Sequence, residues 1–245
     1  LTWKDRSRHL DIAMRAASAG GRIEDLCFAL RLKSQYSGRE AGEGDQAAII
    51  WAERGLTCAQ ESGNPFQLAR AHLVYAQRLW DANDLDQGIA AGTVALDAIE
   101  RIRDLQPDSQ SRASTFGRWV FFYERFIGMV LGNSKAPSTQ SIEIALTVAE
   151  RRRARTLLDQ LDSVGGTTRV AERHPASAPR EALLFQASNL QRRLSSGSLS
   201  RAERAELRTQ LTRAESDATL LARDIAADDT TFSQLRLPSI PRLDQ

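Results

Sequence analysis

The stretch LARAHLVYAQRLWDANDLDQGIAAGTVALDAIERI, residues 68–102, decides the fold. Its apolar residues Leu68, Ala71, Tyr75, Ala76 and Leu79 recur at three and four positions. After Asn83-Asp84, Leu85, Ile89, Gly92, Ala95, Ile99 and Ile102 do the same. That period belongs to amphipathic helices, so the stretch is an αα-hairpin with a tight turn. Pro107 follows the second helix, where a proline stops rather than breaks it. Gly88, Gly92 and Ala95 share one face of that helix, which lets a neighbour pack against backbone.

The same pattern extends in both directions. Helices are expected from about Ile23 to Tyr36 and from Asp45 to Glu61, joined by the Gly-rich Ser37 to Gly44 and closed by Ser62-Gly63-Asn64-Pro65. A further pair is expected at Arg112 to Leu131 and Thr139 to Leu161, with Gly132 to Ser138 between them. Small residues recur at Ala48, Ala52 and Gly55 in the earlier pair and at Ala145 and Ala149 in the later one. The spacing of His72, Tyr75, Ala76, Leu79, Leu85, Gly88, Gly92, Ala95 and Leu96 resembles the tetratricopeptide (TPR) pattern. The outer pairs have longer internal loops than a repeat of about 34 residues contains, so they are read as divergent repeats.

After Leu161 the composition changes. Ser163 to Pro179 is rich in Gly, Thr, Ser and Pro and reads as a loop. Leu183, Ala187, Leu190 and Leu194 then step 4-3-4, and Leu207, Leu211, Ala214, Ala218, Leu221 and Ile225 continue the alternation. Such heptads predict two helices sharing a narrow seam. The short link Ser195-Ser196-Gly197-Ser198 favours an antiparallel hairpin over a dimeric coiled coil, and Ser200 with Glu203 fits a capping box. The expected architecture is all-α: TPR-like αα-hairpins over 1–162, a loop over 163–180, an antiparallel helical hairpin over 181–228, and an extended tail over 229–245.

Composition excludes several functions. With 33 Lys+Arg against 31 Asp+Glu, the net charge of +2 supplies no broad cationic field, so direct nucleic-acid binding is not expected. No apolar run approaches the roughly 18 residues of a membrane helix. The chain starts at Leu1 without a charged-then-apolar leader and is expected to be part of a longer polypeptide. Two cysteines make neither a disulfide framework nor a four-ligand zinc site, so Cys27 and Cys58 are read as buried thiols in a reducing, cytoplasmic setting.

No catalytic constellation stands out. His9, His72 and His174 share no motif with either cysteine. No metal-ligand spacing occurs, and the glycines at Gly42, Gly44, Gly165 and Gly166 lack the Lys-Ser/Thr and preceding strand of a phosphate loop. Neither metal nor cofactor is therefore expected. Trp119, Phe121, Phe122, Tyr123 and Phe126 crowd more than one helix face. Most should be core, leaving one or two as exposed partner anchors.

One run is more specific: Ala145-Leu146-Thr147-Val148-Ala149-Glu150-Arg151-Arg152-Arg153-Ala154-Arg155-Thr156-Leu157-Leu158-Asp159-Gln160-Leu161. It resembles the last repeat helix of TPR-CHAT proteins, in which tetratricopeptide repeats precede a caspase-like cysteine peptidase domain. A helical hairpin like Glu181 to Ala227 and a lead-in segment like Thr231 to Leu243 follow in that family. The resemblance covers roughly residues 60 to 245 and stops where the peptidase begins. It implies a recognition and regulatory module that is not itself an enzyme, with a protein or peptide and its own C-terminal peptidase domain as partners. It also implies a concave face lined by Arg70, Leu73, Gln77 and Trp80. Leu73 and Gln77 depart from the clamp some TPR domains use for a chain-terminal carboxylate. The rival expectation is the helical sensor region of a transcriptional or signalling regulator.

Overall fold

The computed structural model describes residues 3–37, 44–106, 109–132, 137–163, 174–195 and 199–228. Among them the chain is all-α and built of consecutive helices: α1 (Trp3–Ala19), α2 (Ile23–Ser37), α3 (Asp45–Ser62), α4 (Pro65–Asp81), α5 (Leu85–Asp104), α6 (Ser109–Gly132), α7 (Thr139–Ser163), α8 (Ser177–Leu194) and α9 (Arg201–Asp228). No helix among the described residues is long and apolar enough to cross a membrane. The expected tail over 229–245, the Gly-rich joint over 38–43 and most of the loop after α7 lie outside the described residues.

Local chemistry explains the boundaries. At the end of α4 the Asp84 amide donates to the Leu79 carbonyl at 2.9 Å and the Asn83 amide to the Trp80 carbonyl at 3.0 Å. Asn83 takes φ +65, the left-handed conformation such a helix stop requires. Gly63 (φ +66) closes α3. The Asn64 side chain then accepts from the amides of Phe66 and Gln67, with Pro65 at the first helical position of α4. The capping box of α9 forms as expected: Ser200 N donates to Glu203 Oε2 at 2.8 Å, and Glu203 N to Ser200 Oγ at 3.2 Å. These bonds hold the Glu203 carboxyl below its ordinary pKa.

Two boundaries differ from expectation. Residues 3–19 form a helix that their weak periodicity does not announce. Its end is legible afterwards in Gly20-Gly21, where Gly21 takes φ +64 and the Arg22 amide reaches the Ala17 carbonyl at 2.9 Å. The loop expected to run to residue 180 ends at Ser177 instead. Pro179 sits in the first turn of α8, where its missing N–H has no intrahelical partner to lose.

The chain divides into two compact units, one of residues 1–100 with 191–209 and the other of residues 101–190 with 210–245. In the first, α1 packs on α2, α2 on α3 and α3 on α4, and α2 also touches α4. Ala17, Ala29, Ala48, Ala52, Ala59, Ala69 and Ala76 are buried there, so the helices approach closely. Buried Lys33 bonds Asp11 at 2.8 Å and Ser7 at 2.6 Å on α1. The second unit packs α6 on α7. Phe116, Trp119, Phe122, Tyr123, Phe126, Met129 and Val130 are buried there, as are Ala145 and Val148 of α7. Of the heptad positions read from the sequence, Ala187 and Leu190 of α8 and Leu211, Ala214, Ala218 and Ile225 of α9 are buried in the same unit, whereas Leu183 and Leu221 are only half-buried and Leu184 takes the buried place beside Leu183.

The cysteine reading needs correction. Cys27 on α2 and Cys58 on α3 face each other with Cα atoms 5.4 Å apart and form a disulfide. Both side chains are buried beside Leu30, with Met14, Ile23, Leu26 and Trp51 packed around them. Spacing along the chain says nothing about register across a helix pair, which is why the sequence alone read two thiols. A crosslink spanning 31 positions restricts the unfolded chain by about 3 to 4 kcal/mol in the chain-entropy picture. Urea titrations with and without a reductant should therefore show a stability loss of that order on reduction, and a Cys58→Ser variant should lose stability similarly and ignore the reductant.

Candidate functional site

The stripe expected to line a concave face lies on α4, and the structure divides it. Arg70 is exposed and Gln77 half-buried, whereas Leu73 and Trp80 are 6% and 3% exposed. Trp80 packs against Gly88 at the start of α5. A Cβ placed on Gly88 would lie 3.3 Å from the Ala76 carbonyl oxygen, 3.3 Å from the Trp80 amide nitrogen and 3.4 Å from Trp80 Cε3. The indole thus occupies the space the glycine leaves, and the small-residue face read on α5 serves packing. Trp80 and Leu73 present almost no surface to a partner. This corrects their placement on an open face.

Gln77 is tied within its own helix. Its Nε2 donates to Asp81 Oδ1 at 2.8 Å, while Arg78 pairs with the other Asp81 oxygen at 3.2 Å. His72 is half-buried on α4, and burial lowers its pKa, disfavouring the imidazolium. With both sulfurs in the Cys27–Cys58 bond, neither can act as a thiolate nucleophile in this form.

What remains exposed beside Arg70 comes from α2, which the sequence reading did not single out. Arg31 shares a cleft with Cys27, Gln67, Ala71 and Val74. Its guanidinium carbon lies 4.9 Å from the Phe28 ring centroid, and Phe28 is 48% exposed. Burial, and then the like charge of Arg70, hold the Arg31 pKa below its ordinary value. The available signal was register: Cys27, Leu30 and Ser34 mark the buried stripe of α2, so Phe28 and Arg31, three apart, flank it on one side.

In the second unit, Phe121 is the exposed member of the aromatic run, 48% accessible and edge-on to Phe122 at 4.5 Å. Trp119, Phe122, Tyr123 and Phe126 are core, as most of the run was expected to be. Arg152 of the Arg-rich helix pairs with Glu124 of α6 at 3.1 Å, and Arg153 with Glu150 at 2.7 Å. Comparison with protein-family models, with curated proteins and with solved structures gave no match to this chain.

Trp80→Ala should cost roughly 3 to 5 kcal/mol by emptying the space over Gly88. A melting curve and a partner-binding assay on the same variant check this. Binding should return to the wild-type value at temperatures where the variant is folded, whereas a binding loss with an unchanged melting temperature would restore Trp80 as an anchor.

Proposed function

We propose that this chain is a protein-interaction and regulatory module, the N-terminal region of a TPR-CHAT caspase-like protease that senses a protein or peptide partner and controls the peptidase. The observation that carries the module reading is the α2/α4 face, where α2 and α4 touch, the charge of Arg70 acts on Arg31, and Arg31 stacks on an exposed Phe28. Aromatic and arginine side chains dominate the energetics of protein interfaces. The order of features supports the parent assignment: a helical pair crossing closely at Gly88, the Arg-rich α7, then the capped hairpin of α8 and α9. In this reading the chain carries recognition, and the nucleophile and its base belong to residues encoded after Gln245.

A cytoplasmic setting belongs to the same reading and gives the Cys27–Cys58 pair a defined consequence. Disulfides persist in oxidising compartments, so in a reducing cytoplasm the pair would rest as thiols, and the bridged form would mark oxidising exposure.

The test is the longer polypeptide. Extending expression past Gln245 should add alternating strands and helices bearing His and Cys motifs, and a cysteine-directed activity probe should label the extended protein but not residues 1–245. A helix-turn-helix in the extension would favour the sensor region of a regulator instead. Stoichiometric labelling of residues 1–245 with peptide turnover, lost on replacing Cys27 or Cys58, would contradict the module reading altogether.

A further inference from the structure

The α2/α4 face holds a charge arrangement that packing does not account for. Arg31 is half-buried, and its Nε is enclosed with no hydrogen-bond acceptor among the described residues. The residues of α4 that line its cleft are Gln67, Ala71 and Val74, none of them acidic. Arg70, within that span of α4, adds a second cation. The carboxylates of α2 are Glu24, which Arg204 and Asn64 engage at 3.4 and 3.3 Å, and Asp25, which pairs with Arg22 at 3.3 Å. Partly burying one cation beside another opposes folding, because desolvation and like-charge repulsion act together. Alongside them Phe28 leaves a large ring half in water, with Arg31 stacked on it.

One ligand chemistry suits both the half-buried Arg31 guanidinium and the exposed Phe28 ring. A carboxylate offers two acceptors in the geometry a guanidinium fork matches, and at the rim of the cleft it neutralises the Arg31 charge. An apolar side chain next to that carboxylate would cover Phe28. We propose that the α2/α4 face binds an acidic peptide segment of a protein partner, seating a Glu or Asp carboxylate on Arg31 and Arg70 and an adjacent apolar side chain on Phe28. A nucleic-acid strand fits less well, since phosphate tracking needs a cationic groove and the net charge is only +2. The inference rests on the interaction-module reading and names the partner's chemistry.

The test uses the intact chain and three fluorescein-labelled probes: a short peptide of alternating glutamate and leucine, its glutamine and leucine counterpart, and a single-stranded oligonucleotide. Fluorescence polarisation should show saturable, salt-weakened binding of the glutamate peptide. Affinity should be about tenfold or more lower for the glutamine peptide and for Arg31→Gln and Arg70→Gln, as expected from losing a charge-assisted hydrogen bond. Phe28→Ala should also weaken binding. Arg31→Gln should melt at or above the wild-type temperature, because it removes a desolvated cation.

Equal binding of both peptides, or indifference to both arginine substitutions, would overturn the proposal. So would tighter oligonucleotide binding lost on the same substitutions, or a sharply lowered melt for Arg31→Gln, which would make Arg31 a structural residue. If Arg31→Gln does not fold, exposed Arg70 decides through Arg70→Gln. Failure here with a peptidase still found after Gln245 removes only the partner chemistry. Success without a peptidase leaves the binding face and removes the parent assignment.

Discussion

The guanidinium of Arg204, at the start of α9, holds the first unit's separate segments in one arrangement. It is almost fully buried, and its Nη1 donates to the carbonyl oxygens of Ser62 at 3.1 Å and Leu194 at 3.2 Å, with Glu24 Oε1 at 3.4 Å. Ser62 and Leu194 are the last residues of α3 and α8. Their carbonyls are among those a helix leaves without internal partners, at the negative end of its dipole. One cation therefore closes two helix ends and meets a carboxylate on α2. The partners lie 180, 142 and 10 positions away along the chain, so the contact sets tertiary arrangement rather than local structure.

Such a centre specifies more than it stabilises. Burial raises the Glu24 pKa, outweighing the lowering effects of its bonds to Gln67 and Asn64 and of Arg204. A carboxyl raised in the folded state contributes stability at low pH that is lost as pH rises through its folded pKa, so Glu24 does not supply net stability at neutrality. Arg204 Nη2 is also enclosed without an acceptor among the described residues. The centre is held by its surroundings. Four positions along α9, the stem of Arg208 lies over Gly63, where a Cβ would collide with it, so the left-handed glycine serves both the end of α3 and the seating of α9. Asn64 caps α4 and reaches Glu24 with the same side chain. The hydrophobic bulk is supplied elsewhere, by the alanine-rich crossings and by Leu194 and Leu207 of the hairpin.

Features governed by local rules were legible in the sequence. Ser62-Gly63-Asn64-Pro65, Asn83-Asp84 and the Ser200/Glu203 box stop or start helices through bonds within a few residues, and the structure forms each of them. Most positions of the hairpin's heptad seam were readable for the same reason, because burial there follows a short period, although Leu184 rather than Leu183 is buried and Leu221 is only half-buried. Long-range register was not. Whether Cys27 meets Cys58, whether Trp80 turns toward Gly88 or outward, and whether a first-turn arginine such as Arg204 is solvated depend on which faces meet in space. The periodicity of one helix leaves that open. The candidate site suffered accordingly: Arg70 and Gln77 keep surface, Leu73 and Trp80 do not, and Phe28 and Arg31 come from a helix whose outward face was not read.

The most direct measurement of the central claim is a double-mutant cycle between Glu24 and Arg204, using Glu24→Gln, Arg204→Met and the pair, followed by urea unfolding. If Arg204 holds the unit together, Arg204→Met alone should lose about 3 to 5 kcal/mol, since it leaves Glu24 and two helix-end carbonyls buried without their cation. The double variant should then lose less than the sum of the singles, by on the order of 1 to 3 kcal/mol. An Arg204→Met protein within about 0.5 kcal/mol of wild type, or strictly additive losses, would contradict the account.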